Sequence, residues 1–262
     1  MKSDFMNTLT HFFRANFERF LLLIALSLFV NSCNIGPSNT IPQFEKPEPT
    51  LVEGRLNAGF LIMNGVYNTE LTAPFDIFQH TIYREGIEGM NVFTVANTLE
   101  PIRTFEGIHL LPDYDYTKEA PKIDILIVPS AEGHLEDDLK DTVMLNFVRE
   151  TASNANYVIS LCDGSFVLAK AGLLTHVKST TFPGDLDTYE EMFPSQDVIR
   201  NTLVVHDGKF ITSAGGAKSF EPSLYLVEHL WGKKAANGCA KGMVIDWDLN
   251  SLIESQKVIV IE

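Results

Sequence analysis

The run from Tyr157 to Leu174, YVISLCDGSFVLAKAGLL, limits the folds open to this chain more than any other segment. Tyr157 to Leu161 is short, apolar and rich in β-forming residues. Gly164 and Ser165 are small enough for a tight turn, and Phe166 to Leu174 then has helical spacing that ends near a glycine. Strand, sharp turn and helix in so few residues put Cys162 at the apex, as in a nucleophile elbow with a thiol for a hydroxyl. A sulfur at a helix N-terminus also meets the positive end of the helix dipole, which favours the reactive thiolate. The same local pattern fits a cysteine packed inertly at a strand end, so the neighbouring segments have to choose.

Those segments repeat the alternation. Leu56 to Met63 predicts a first strand, followed by the polar turn NGVYNTE and a helix opened by Pro74, with Phe75, Phe78 and Ile82 on one face. Asn91 to Ala96 predicts a second strand. Lys122 to Val128 is nearly unbroken apolar sequence, of the kind a sheet buries on both faces. Asp138 to Thr151 predicts a helix with Leu139, Val143, Met144, Phe147 and Val148 inward. After the elbow come a strand at Ser179 to Thr181, a helix over Leu186 to Met192, and strands at Thr202 to His206 and Phe210 to Thr212. A helix from Ser219 to Trp231 is closed by Gly232, and Val244 to Trp247 is assigned as an edge strand. The domain is expected over residues 54–248, with 249–262 as a C-terminal tail. Strands alternating with helices give an α/β fold with a mostly parallel central sheet flanked by helices. Sites in such sheets lie outside the carboxyl ends of the strands, so loops 64–74, 129–133 and 161–165 are expected to meet.

Residues 1–32 read as something other than the domain. Lys2, Arg14 and Arg19 precede an apolar run from Phe20 to Val30, and Asn31, Ser32 and Cys33 follow, which is the order of an export signal. That run is about 11 residues long, short of the ~20 a spanning helix needs. Val-Asn-Ser-Cys is similar to a bacterial lipobox, so Cys33 is expected to be the lipidated first residue of the mature chain. Residues 33–53, with four prolines after Cys33, then form an extended tether. An uncleaved N-terminal anchor is the alternative. Either way the domain is expected to be exported and membrane-anchored, facing the periplasm, with the outer membrane favoured because Asn34 and not Asp follows the cysteine.

The formal net charge of −14 argues against nucleic-acid partners and favours solubility, but says nothing about substrate. With Cys33 assigned to the lipid, Cys162 and Cys239 do not make a disulfide framework. No HExxH, paired CxxC or clustered His/Asp spacing points to a metal, and no GxxxxGK[ST] or GxGxxG points to a nucleotide. No cofactor is expected.

The segments ELTAPFDIF, IVPSAEG, LCDGSFVLAKAGLL, and TLVVHDGKFITSAGG followed by LYLVEHLWG together resemble the ThiJ/PfpI superfamily over about Leu56 to Trp247. The branch it resembles includes isonitrile hydratase and the sensor-like halves of AraC-type regulators. The resemblance implies a flavodoxin-like sandwich, often homodimeric, with Cys162 as nucleophile and Glu70 as the carboxyl that hydrogen-bonds it. A carboxyl so placed carries a proton to or from a bound intermediate. Protonated, it lowers the thiol's pKa; ionised, it raises it. The resemblance also implies an oxyanion hole from the backbone N–H groups of Ala131 and Asp163. Ser130 and Ala131 stand where the family usually has two glycines, and Asp163 and Phe182 stand where several relatives carry a histidine. An ionised Asp163 side chain opposes thiolate formation, and it otherwise reads as an ordinary first-turn acid. His134, just after the oxyanion loop, is the candidate substitute base, and Asp185 is a candidate to orient substrate or water.

Two functions remain open at this level. One is a cofactor-free enzyme whose Cys162 adds to a small electrophile, by isonitrile hydration, glyoxalase- or deglycase-type chemistry, or amide hydrolysis. The other is a non-catalytic ligand-binding or redox-sensing module that keeps the fold.

Overall fold

An apolar strand such as Ile125–Val128 is stable only where both of its faces are covered, and the fold supplies that cover. The computed structural model describes residues 49–261. The expected export signal, Cys33 and the tether up to residue 48 lie outside the described residues.

β1 (Leu56–Leu61) leads through a turn into α1 (Asn68–Gln79) and then β2 (Met90–Ala96). A small hairpin of β3 (Ile102–Arg103) and β4 (His109–Leu110) follows, with the short β5 (Tyr114–Asp115) after it. Next come β6 (Ile125–Val128), α2 (Thr142–Asn154), β7 (Tyr157–Leu161) and α3 (Gly164–Lys170). β8 (Lys178–Ser179) and β9 (Asp197–Val198) pair with each other around α4 (Leu186–Met192). The hairpin of β10 (Val204–Asp207) and β11 (Phe210–Ser213) precedes α5 (Phe220–Trp231), α6 (Lys233–Gly242), α7 (Leu249–Glu254) and β12 (Val258–Ile261).

Eight strands form one sheet in the order β12-β10-β11-β7-β6-β1-β2-β5. Every neighbouring pair is parallel except β10 and β11. The expected α/β class with a mostly parallel sheet is what the chain adopts. Alternate strand residues divide between two cores. Phe60, Ile125, Ile127, Ile159 and Ile211 face α1, α5 and α6, where Phe78, Leu224, Val227 and Ala236 meet them. Leu126, Val128, Val158 and Phe93 face α2 and α3, where Met144, Val148, Phe166 and Val167 meet them. Each such aliphatic or aromatic side chain contributes about 1.5–3 kcal/mol on leaving water. The Asp141 carboxylate caps α2 by accepting the Val143 and Met144 N–H groups at 2.9 and 3.0 Å, worth about 1 kcal/mol.

Several sequence expectations need correction. Pro74 lies inside α1, which begins at Asn68, so Glu70 sits in the helix's first turn and not in the preceding loop. Burial of Ala73 and Pro74 against the core offsets the hydrogen bond that the proline removes. Val143 is 56 % exposed, because helix α2 turns Met144, Leu145 and Val148 inward instead. Residues 244–247 form no strand: Val244 adopts φ +58° and is 94 % exposed, a conformation that ends extended structure. The edge strand beside β10 is β12, paired from Val204↔Val258 to Asp207↔Ile261, so residues 249–261 belong to the domain and are not a tail. At the other end Val52 exchanges hydrogen bonds with the Asn91 side chain at 2.9 and 3.0 Å, which makes the end of the expected tether part of the domain as well.

Candidate active site

The site is built where β1, β6, β7 and β11 end. Cys162 follows β7 directly and has φ +52°, a left-handed conformation that costs a non-glycine residue about 1–3 kcal/mol. One hydrogen bond holds it there, and two glycines leave room for the turn. The Cys162 N–H donates to the Ser213 carbonyl at 3.0 Å, continuing the β7–β11 pairing. At Gly215, where φ is +71°, an added Cβ would lie 2.4 Å from the Cys162 Cβ. At Gly164 an added Cβ would lie 2.0 Å from the Val128 carbonyl oxygen. Glycine at both places lets the strands close around the elbow; the sequence marks Gly164 for the tight turn but not Gly215.

Glu70 reaches the same spot from the first turn of α1. Its Oε2 accepts the Ser130 N–H and its Oε1 accepts the Gly216 N–H, each at 3.0 Å. One buried carboxyl thus ties the loop after β6 to the loop after β11. Burial pushes the Glu70 carboxyl up, and the two amides and the nearby Cys162 thiol act against that. The Asp163 carboxyl completes the group. It is 7 % exposed, its Oδ2 accepts the Cys162 thiol at 3.6 Å, and its Oδ1 accepts the Thr181 hydroxyl at 3.3 Å. Burial, then the charge of Asp185, raises Asp163 to about 7. The thiol itself is pushed up by burial first, then by the charges of Glu70 and Asp163, with the Asp163 amide opposing them. Burial and the two neighbouring carboxyls favour the neutral S–H and oppose the activation expected from the helix end.

The other expected residues divide. The N–H groups of Ala131 and Asp163 make no backbone hydrogen bond among the described residues. The Asp163 amide sits against the sulfur and Ala131 bridges to Val66. His134 is not a base in contact with substrate. Its ring is fully buried, with Nε2 3.3 Å from the Met63 sulfur and 3.8 Å from Asp138 Oδ2. Burial lowers it to about 3, and the Asp163 backbone acts weakly against that. Asp185 is half-buried at the start of α4, and it reaches the site only through its charge on Asp163. Cys162 and Cys239 are both free thiols, as the cysteine count implied.

Sequence reasoning missed three residues. Tyr67, read as part of a polar turn, stacks against Phe105 at a centroid distance of 4.6 Å. Its hydroxyl is pushed up by burial and then by the charges of Cys162, Asp163 and Glu70. Thr181 spans the Cys162 carbonyl and the Asp163 carboxyl. Gly216 supplies the second amide to Glu70. The paired glycines of SAGG were the one available signal; nothing local marked Tyr67 or Thr181. Among the described residues no group of three or more His, Cys, Asp or Glu side chains is placed to hold a metal ion.

A strained cysteine thus ends a central strand, and a buried carboxyl from the first helix acts on it. Residues 57–229 match the sequence pattern of the DJ-1/PfpI family. This chain belongs to the DJ-1/PfpI family. The isonitrile hydratase of Pseudomonas putida is 30 % identical over 182 residues, which cover 69 % of this chain and 75 % of that protein. The HTH-type transcriptional regulator GbdR of Pseudomonas aeruginosa is 23 % identical over 176 residues, covering 67 % of this chain and 47 % of the regulator. Among solved structures, Drosophila melanogaster DJ-1beta superposes with a TM-score of 0.64 at 21 % identity, over 74 % of this chain and all of that one. The matched residues run from β1 into α5, and β12 lies beyond them at one edge of the sheet.

Proposed function

We propose that this DJ-1/PfpI domain is a cofactor-free enzyme in which Cys162 adds to a small electrophilic carbon, with isonitrile hydration as the leading reaction. The observation that carries this reading is the Cys162 backbone held at φ +52° with the Glu70 carboxyl fixed by two amides beside its sulfur. A merely buried cysteine needs neither the strain nor the carboxyl. The similarity to an isonitrile hydratase, the highest in identity of the relatives above over a matched stretch of this length, supports the choice of substrate.

The chemistry balances without a metal or a histidine. Sulfur forms a bond to the terminal isonitrile carbon, and that carbon takes a proton, giving a thioimidate. Water then adds across the C=N bond, oxygen to carbon and hydrogen to nitrogen. Collapse of the adduct breaks the C–S bond, the hydroxyl proton passes to sulfur, and an N-substituted formamide leaves. Glu70, buried and raised, is the acid that delivers and later recovers a proton. The Ala131 and Asp163 amides face the same strand ends and stabilise developing negative charge. Peptide cleavage fits less well, because an amine leaving group calls for a positioned acid such as histidine, and His134 is sealed off.

The test is turnover of a panel of aliphatic isonitriles to formamides, followed by infrared loss of the isonitrile band. Glu70→Gln is expected to reduce kcat by about 10²–10⁴-fold. Absence of turnover in the unsubstituted protein sinks the reading. A ligand-binding or redox-sensing module is the second reading, favoured by the raised thiol and by the similarity to GbdR. Saturable ligand binding without turnover decides for it. We also propose, from the N-terminal pattern alone, that the chain is exported and lipidated at Cys33, which labelling with a lipid precursor tests.

A further inference from the structure

We propose that the Asp163 side chain is the catalytic base of this site, accepting the Cys162 proton as sulfur attacks, so that the working unit is a Cys–Asp pair of adjacent residues. The inference rests on the reading of Cys162 as a nucleophile, and it assigns the proton that reading leaves without an acceptor.

Both Glu70 and Asp163 act on the thiol, and the hydrogen bonds each already makes leave Asp163 the freer acceptor. Both Glu70 oxygens already accept backbone N–H groups, from Ser130 and Gly216. Asp163 Oδ2 instead faces the thiol, which donates to it at 3.6 Å, within the longer range of a sulfur donor. The Thr181 hydroxyl holds Oδ1 at 3.3 Å, and the same hydroxyl lies 3.1 Å from the Cys162 carbonyl. Thr181 thus fixes the base relative to its nucleophile. Asp163 is no helix cap, since its side chain accepts no backbone N–H of α3. A buried carboxyl that is neither capping nor salt-bridged is costly, and its one direct partner besides a threonine is the reacting sulfur.

The electrostatic surroundings suit the role. The groups that act on Asp163 are Glu70 on α1, Asp185 at the start of α4, Cys162 and Thr181, and Tyr67 faces the same space. His134 beneath the Asp163 backbone is neutral. No lysine or arginine is among the groups that shift Cys162, Glu70, Asp163 or Tyr67. A carboxyl held near 7 is matched to proton transfer at neutral pH, and a thiol kept neutral gives its proton only as the S–C bond forms. In the forward step the S–H bond breaks, its proton goes to Oδ2 and its electron pair makes the S–C bond. In the return step the C–S pair goes back to sulfur, which recovers the proton. Three carboxyls at the site disfavour anionic electrophiles, so neutral or cationic substrates are favoured.

The experiment is Cys162 alkylation by neutral iodoacetamide and anionic iodoacetate across pH 5–10, in the unsubstituted chain, Asp163→Asn and Thr181→Val. A base makes the iodoacetamide rate rise through an inflection near 7. In Asp163→Asn that inflection disappears, the rate at pH 7.5 drops tenfold or more, and the preference for iodoacetamide over iodoacetate narrows. A charge that only repels the thiolate gives the opposite sign: Asp163→Asn then reacts faster at pH 7.5, and the proposal is overturned. If Asp163→Asn does not fold, Thr181→Val against Thr181→Ser decides, because slowing in the valine variant alone supports the pair and equal rates in both overturn it. Isonitrile turnover that survives Asp163→Asn refutes the base while leaving the proposed reaction standing. An Asp163-dependent inflection with no turnover does the reverse.

Discussion

The two buried thiols of the described chain, Cys162 and Cys239, make a natural experiment within one molecule. Both are out of water, both are unpaired, and burial pushes both up. Cys239 lies in the middle of α6 among Ala235, Ala236 and Ala240, where a small apolar side chain lets α6 approach the core closely. Only Arg84 acts on its charge, and it acts to lower the pKa. Cys162 sits on a strained backbone between two carboxyls, and three loops are tied around it. Burial is common to both, so burial is not what makes a site. The difference is that one cysteine is surrounded by groups whose own placement is costly.

That contrast can be broken most severely by removing each sulfur. Cys162→Ala is expected to abolish isonitrile turnover, by about 10³-fold or more as befits a lost nucleophile, whereas Cys239→Ala keeps kcat within about twofold. Equal losses in the two variants would erase the distinction. The backbone strain is tested next with two glycine substitutions read by urea unfolding. Gly215→Ala meets the Cys162 Cβ at 2.4 Å, and a destabilisation of about 2–4 kcal/mol is expected. Gly208→Ala also has positive φ but nothing within 4 Å, and about 1 kcal/mol is expected.

A subtler measurement concerns Asp163 and pH. Its folded-state pKa is raised to about 7, so the folded chain holds a proton that the unfolded chain releases near the ordinary carboxylate range. The stabilisation from that retained proton is fully present below the unfolded value, fades as pH rises toward 7, and is absent above it. Asp163→Asn removes the penalty, and at pH 8 it is expected to be more stable than the unsubstituted chain by on the order of 2 kcal/mol, with the advantage vanishing near pH 4. Thermal unfolding at the two pH values reads the sign. The smallest effect is expected at the control thiol: Cys239→Ala lowers stability by about 1 kcal/mol at any pH from 5 to 8, since only a small volume is lost.

Much of the architecture was legible because apolar periodicity is a local record of burial. Ile125–Val128 and Leu186–Met192 appear where their patterns put them. Helix α6 was invisible because its buried face is alanine and cysteine, too small to stand out as an apolar stripe. The strand Val258–Ile261 was missed for a different reason: four apolar residues near a chain end look like any short tail until β10 offers them a partner. Pro74 misled in the ordinary direction, since proline marks a helix start unless tertiary packing carries the helix through it.

For the site, the acid at Glu70 came only from the resemblance to a known family, whereas the residues around Cys162 already specified a thiol at a strand–helix turn, which local sterics and spacing encode. The protonation of that thiol was not encoded there. The helix end argued for a thiolate, but folding removed the sulfur from water and set it against Asp163 in the adjoining turn and Glu70 from a helix far earlier in the chain, whose bonds to Ser130 and Gly216 span 60 and 146 residues. Dehydration and the approach of like charges are properties of three-dimensional neighbourhoods, and only the packed sheet creates them.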